Sequence, residues 1–167
     1  MGVDEQGRLE PPMAAGPVEM VSAFLNFLRA TLLWKIDGLS DDELRRPMTP
    51  SGVSLLGIVK HSAYVERVWF RRVFRGEDVA VPWREGDPDA DWRIEPGETT
   101  EEIVRLYRDE AARSRAIVAE AAWETRAAKE GYDQTLGWIL THMVEEVARH
   151  CGHADILREA IDGATGE

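Results

Sequence analysis

The window 135–163 carries one unbroken stripe. Leu136, Leu140, Met143, Val147, His150, Ala154, Leu157 and Ile161 recur in alternating steps of four and three. That register belongs to a helix with one face buried along its whole length. Such a helix forms a wall of a core, so the chain must supply other helices to cover it. One position departs from the apolar rule: His150 stands where a leucine is the ordinary choice.

The covering helices are visible upstream. From Val18 to about Asp37, residues Val21, Phe24, Leu25, Leu28, Leu32 and Ile36 recur at steps of three and four, with Pro17 at the first turn and Gly38 as a stop. Ser40-Asp41-Asp42-Glu43 has the capping-box pattern of a short helical turn ending near Pro47. A second long helix is predicted from about Ser54 to Arg75, with Leu55, Ile58, Val65, Trp69 and Val73 as its apolar set and Gly76 at its end. The stretch from Glu77 to Gly97 holds Pro82, Pro88 and Pro96 and is too proline-rich for a helix. It reads as a crossover loop pinned by Trp83 and Trp92. Thr99 and Glu102 open a third helix, with Ile103, Leu106, Tyr107, Glu110, Ala111, Ser114 and Ile117 on its inner face. Its alanine-rich end is expected to fray near Trp123, and Gly131 breaks the chain before a fourth helix from Thr135 to Gly163. Residues 1–16 read as a flexible tail ahead of a single domain over 17–163.

No convincing strand is present, so the fold class is all-α, a four-helix bundle. Shorter links join helices one and two, and three and four, while the long link lets helices two and three run parallel. The expected order is up-down-down-up.

A chain of 167 residues with 44% hydrophobic content buries a full core without staples. Its net charge of −11 argues against binding to nucleic acid or to an anionic membrane. The lone Cys151 allows neither an intrachain disulfide nor a cysteine zinc knuckle. No apolar run reaches the roughly 18–20 residues of a membrane span. Met1 to Gly16 carries Asp4, Glu5 and Glu10 without an apolar segment, so a signal peptide is not expected and the cytoplasm is the expected location.

Three of the four histidines, His142, His150 and His153, lie on the fourth helix with Glu146 among them. At about 100° per residue, with His142 at zero, His153 falls at ~20°, Glu146 at ~40° and His150 at ~80°. The stripe centres near ~110°. His150 is therefore deepest, Glu146 at the shoulder, and His142 and His153 at the rim. The remaining histidine, His61, shares a face of the second helix with Ile58, Val65 and Trp69 and is expected to point inward. Taken alone, His61 reads as a hydrogen-bonded core residue, and Glu146 with His150 reads as an intrahelical pair. Taken together, two imidazoles and a carboxylate facing one core are costly to desolvate without a strong partner. A metal ion is the simplest such partner, and three ligands leave a coordination position open for chemistry. Trp69 and Trp138 read as core or lining residues. Arg67, Arg71, Arg72 and Arg75 read as a solvated face. Cys151, about 100° from His150 around the helix, reads as a small buried hydrophobe. Asp155, Arg158 and Glu159 read as salt-bridging or interface residues.

The segments Leu56-Gly57-Ile58-Val59-Lys60-His61, Val65-Glu66-Arg67-Val68-Trp69 and Glu145 to Glu159, closed by Ile161-Asp162-Gly163, resemble the DinB-like (damage-inducible) superfamily of four-helix metal proteins. The resemblance spans roughly residues 18–163. It implies an up-down-down-up bundle with one metal site. The ligands would be a histidine on the second helix and two residues four apart on the fourth, here His61, Glu146 and His150. Many members have histidine where this chain has Glu146; glutamate there resembles the branch of mycothiol-dependent maleylpyruvate isomerase and mycothiol S-transferases. The implied function is a metal-dependent S-transferase or isomerase. It would use a low-molecular-weight thiol such as mycothiol, a small electrophile and a divalent metal, zinc before nickel. His142 or His153 would orient groups or shuttle protons, and a homodimer fits the family. Two alternatives stay open: a metal-dependent hydrolase using bound water, and a non-enzymatic, stress-related metal-binding protein.

Overall fold

The computed structural model describes residues 2–166. It contains α1 (Pro17–Ile36), the short α2 (Asp41–Arg45), α3 (Leu55–Glu66), α4 (Thr100–Ala119) and α5 (Leu136–Asp162). The described residues contain no strand, only three isolated bridges such as Arg126 with Thr135. The fold is all-α.

Local chemistry sets the helix starts. Ser40 and Thr99 each accept a hydrogen bond from the backbone N–H three residues on, while Glu43 and Glu102 reach back to the cap residues. Both capping boxes follow the sequence expectation. Thr135 caps α5 through the backbone N–H of Trp138, and Gly163 ends it at φ +79°, a left-handed conformation that favours glycine.

One core is shared by all four long helices. Leu25 and Leu32 of α1, Leu55 and Ile58 of α3, Tyr107 of α4, and Leu136, Leu140 and Met143 of α5 are all fully buried. Each such aliphatic side chain contributes about 1.5–3 kcal/mol through burial. The most extensive pairings are α1 on α5 and α3 on α4. Along the first pair, Leu28 meets Cys151 and Lys35 meets Arg158. Between α3 and the start of α4, Lys60 meets Glu98, and farther along Arg67 meets Glu110. In both cases rising numbers meet rising numbers. Between α3 and α5 the sense reverses: His61 faces Glu146 while the later Trp69 faces the earlier Trp138.

Four details differ from the sequence expectation. The second long helix keeps its expected extent, but its last part, Arg67–Phe74, is π-helical, with the Arg75 N–H bonded five residues back to the Phe70 carbonyl. Two of the arginines there are not solvated: Arg67 and Arg71 both reach the fully buried carboxylate of Glu110, joined by Arg113, whereas Arg75 is exposed and pairs with the exposed Glu120. A buried carboxylate needs such partners, and these arginines are the nearest cations. α4 stops at Ala119, and Trp123 lies beyond it, packed so closely on α5 that any side chain at Gly137 would overlap the indole. The segment ahead of α1 is anchored by Arg8, which is buried, hydrogen-bonded to Thr31 and stacked over Phe27 and Trp34.

A buried pair absent from the sequence reading ties α1 to α3. Arg29 donates two hydrogen bonds of 2.7 Å to the two carboxylate oxygens of Glu66, both side chains being buried.

Candidate metal centre

His61 lies on α3, and Glu146 and His150 lie one turn apart on α5. The i, i+4 spacing stacks the last two on one face. Glu146 Oε1 lies 3.2 Å from His150 Nε2 and 3.4 Å from His61 Nε2. One ligand atom from each residue lies within 4.8 Å of the others, so a single cation could touch all three. His150 is buried, while His61 and Glu146 keep 13% and 17% of their side chains exposed, a narrow opening toward solvent. The depth order follows the helical arithmetic.

The 77–97 loop completes the centre. Asp91, almost fully buried, places Oδ2 2.7 Å from His61 Nδ1. In the tautomer whose Nδ1–H donates to this carboxylate, His61 presents its Nε2 lone pair on the side of Glu146 and His150. Trp92 stacks on the same imidazole at 3.9 Å and 16° and meets the His150 ring at 5.2 Å. Gly57 makes this possible. A Cβ there would lie 2.5 Å from the Trp92 carbonyl oxygen, a contact no side chain permits. Lys60 anchors the same stretch by donating to the Arg93 carbonyl and to Glu98 at 2.7 Å each. The loop is pinned by tryptophan, as expected: Trp92 holds His61, and Trp83 packs on Tyr64.

Electrostatics favour a cation. Burial pushes the Glu146 carboxyl upward, but hydrogen bonds and charge from His150 and His61 outweigh it and hold Glu146 below its usual range. His150 is pushed down by burial and by the neighbouring His61, so it favours the neutral, ligating form. The donor set therefore fits a divalent metal: two imidazoles, one carboxylate and a buried acid behind one imidazole.

The rim histidines separate. His153 lies beside the centre, its ring 5.6 Å from that of His150. His142 is drawn away: it stacks on Trp138 at 5.1 Å and meets Trp69 edge-on at 4.7 Å. Trp69 and Trp138 thus form an aromatic shelf with His142, and Trp138 is half exposed rather than core. Cys151 points to the Leu28 carbonyl of α1, outside the ligand group. Asp91 is the site residue the sequence reading missed. Its loop has no periodicity and several other acids, and the usable signal was chemical: a ligating histidine needs a partner for its second nitrogen.

Among the described residues no helix is long and apolar enough to cross a membrane. No curated protein matches the chain significantly. The family model described as mycothiol-S-transferase matches residues 20–163, which takes in the four long helices from the first turn of α1 onward, the Asp91 loop and the three converging side chains. The chain belongs to the mycothiol-S-transferase family, within the DinB-like superfamily.

Proposed function

We propose that the protein is a metal-dependent S-transferase that joins a low-molecular-weight thiol, mycothiol in the first instance, to a small electrophile. The observation that carries this reading is the convergence of His61, Glu146 and His150 within 4.8 Å in a chain of this family. These three residues would hold a divalent cation, zinc or nickel, with Asp91 orienting His61. The chemistry such an ion supplies is stabilisation of the cofactor's sulfur as thiolate, lowering a free-thiol pKa near ~8.5 toward neutrality.

The chain's own residues do the rest. Trp92 covers one face of the His61 ring and keeps it in plane. His153, exposed at the rim, accepts the thiol proton and passes it to solvent. His142 sits on the aromatic shelf and orients the bound partner rather than exchanging its proton. In a substitution the sulfur–carbon bond forms as the carbon–leaving-group bond breaks, the leaving group departing with its electron pair. An isomerase would use the same thiol adduct and then expel it.

The helix pairings support an up-down-down-up bundle, with residues 17–163 as the domain and 1–16 as an appended segment. The net charge of −11 supports small-molecule partners over nucleic acid or membrane surfaces. A cytoplasmic homodimer completes the reading. The test is conjugation of mycothiol to monobromobimane, which releases bromide, with and without chelator. Loss of turnover on chelation, and in His61→Ala, is expected. Ester hydrolysis that needs metal but no thiol would replace this reading with hydrolysis. Retained metal with no turnover would leave a binding protein.

A further inference from the structure

A cleft of ≈ 330 Å³ lies against the metal centre on the His153 side. Trp92 is common to both: it lines the cleft, and its ring lies 3.9 Å from that of His61 and 5.2 Å from that of His150. His153 is the second shared wall, 5.6 Å from His150. A molecule in this cleft would therefore touch the two rings, Trp92 and His153, that flank the candidate centre.

The walls specify what fits. Val53, Ile156 and Leu157 supply apolar surface beside the indole. The two hydroxyls in the lining are partnered with each other. Thr49 and Ser51 are hydrogen-bonded to each other at 3.0 Å, and Thr49 Oγ1 also accepts from the Val53 N–H. A sugar or a charged group would find its polar atoms poorly matched there, whereas an apolar ring loses nothing by desolvation. The adjoining cavity, which shares Ser51, Val53 and Trp92, is different in kind: it carries Arg45, Asp89 and Arg93. The volume of the smaller cleft suits one substituted aromatic ring or a short aliphatic chain.

We infer that this cleft is the acceptor subsite, and that the protein selects small, uncharged, apolar electrophiles there, leaving the hydrophilic body of the thiol outside it. The inference rests on the transferase reading for the word acceptor; the binding site itself does not. Ile156, 68% exposed, forms the outer rim and can be changed without disturbing the core.

The test is titration of the purified full chain with fluorobenzene, followed by ¹⁹F NMR. Saturable binding is expected, weakened at least about tenfold in Ile156→Trp, whose indole fills the cleft, and less in Ile156→Ala. In turnover, Ile156→Trp is expected to raise KM for apolar electrophiles in order of their size, with KM for the thiol and metal content unchanged. Absence of fluorobenzene binding, or binding indifferent to both substitutions, would overturn the subsite. Failure of the transferase reading is a separate outcome: fluorobenzene would bind and respond to the substitutions while thiol conjugation stayed absent.

Discussion

Asp91 Oδ2 sits 2.7 Å from His61 Nδ1, so a loop residue, not a helix residue, determines which nitrogen of the α3 histidine faces α5. The Asp91→Asn variant keeps the shape but loses the charge and can present its amide instead of an acceptor. Metal affinity is expected to fall about 10–100-fold, with the fold intact. Competition against a chromophoric chelator measures it, and unchanged affinity would mean that Asp91 does not orient a ligand.

Gly57 is the next lever on the same ring. Its α-carbon faces the Trp92 carbonyl so closely that even alanine forces the backbone of the loop outward. Gly57→Ala should therefore lift Trp92 from His61 and weaken metal binding without touching any ligand. Faster hydrogen exchange at residues 89–94 would accompany the effect. A variant with native exchange and native affinity would show that the loop does not hold the imidazole.

The helices and the convergence of His61, Glu146 and His150 were legible in the sequence because both follow from one period. The α5 stripe set the depth order of His150, Glu146, His153 and His142, and the same period turned His61 inward. What period could not supply was anything depending on a loop or on partners across the core. Asp91 lies in an aperiodic segment. Glu66 and Arg29 are 37 residues apart and become partners only when α1 packs on α3. Arg67 and Arg71 looked solvated because Glu110, which gathers them, lies on another helix. His142 shares the ligands' arc, yet the neighbouring Trp138 and the π-helical Trp69 hold it aside.

The Arg29–Glu66 pair gives an asymmetric stability prediction. Removing one partner leaves the other charge buried and unpaired, so Glu66→Leu alone should cost about 3–5 kcal/mol. Replacing both, as Arg29→Met with Glu66→Leu, should cost far less, because neither charge then remains in the core. Urea denaturation of the two single variants and the double variant measures the difference. Equal losses in all three would show that packing, not charge, dominates the position.

The capping carboxylates set an acid limit. Hydrogen bonds from the backbone and hydroxyl of Thr99 hold the Glu102 carboxyl below its ordinary value of 4.5, and Ser40 does the same to Glu43. A lowered folded-state pKa gives stability that is present above the unfolded value and lost as pH falls through the folded one. The thermal midpoint should therefore decline below about pH 4.5, and Glu102→Gln should flatten part of that decline. An identical slope in the variant would remove the α4 cap from the acid response.

Cys151 should be inert in the native protein. Burial, aided by the nearby Asp155 carboxylate, pushes its thiol up to about 12, and its Sγ–H donates to the Leu28 carbonyl at 3.4 Å. At pH 8 almost none of it is thiolate, and the thiolate is the reactive form. Labelling with iodoacetamide is expected to follow global unfolding, accelerating with denaturant in step with loss of helicity. Because the folded-state value is raised, the thiol stabilises the fold below its ordinary value of 9.0, and that contribution drains away as pH rises from there toward about 12. Rapid native-state labelling near neutral pH would mean that the α1–α5 contact opens locally.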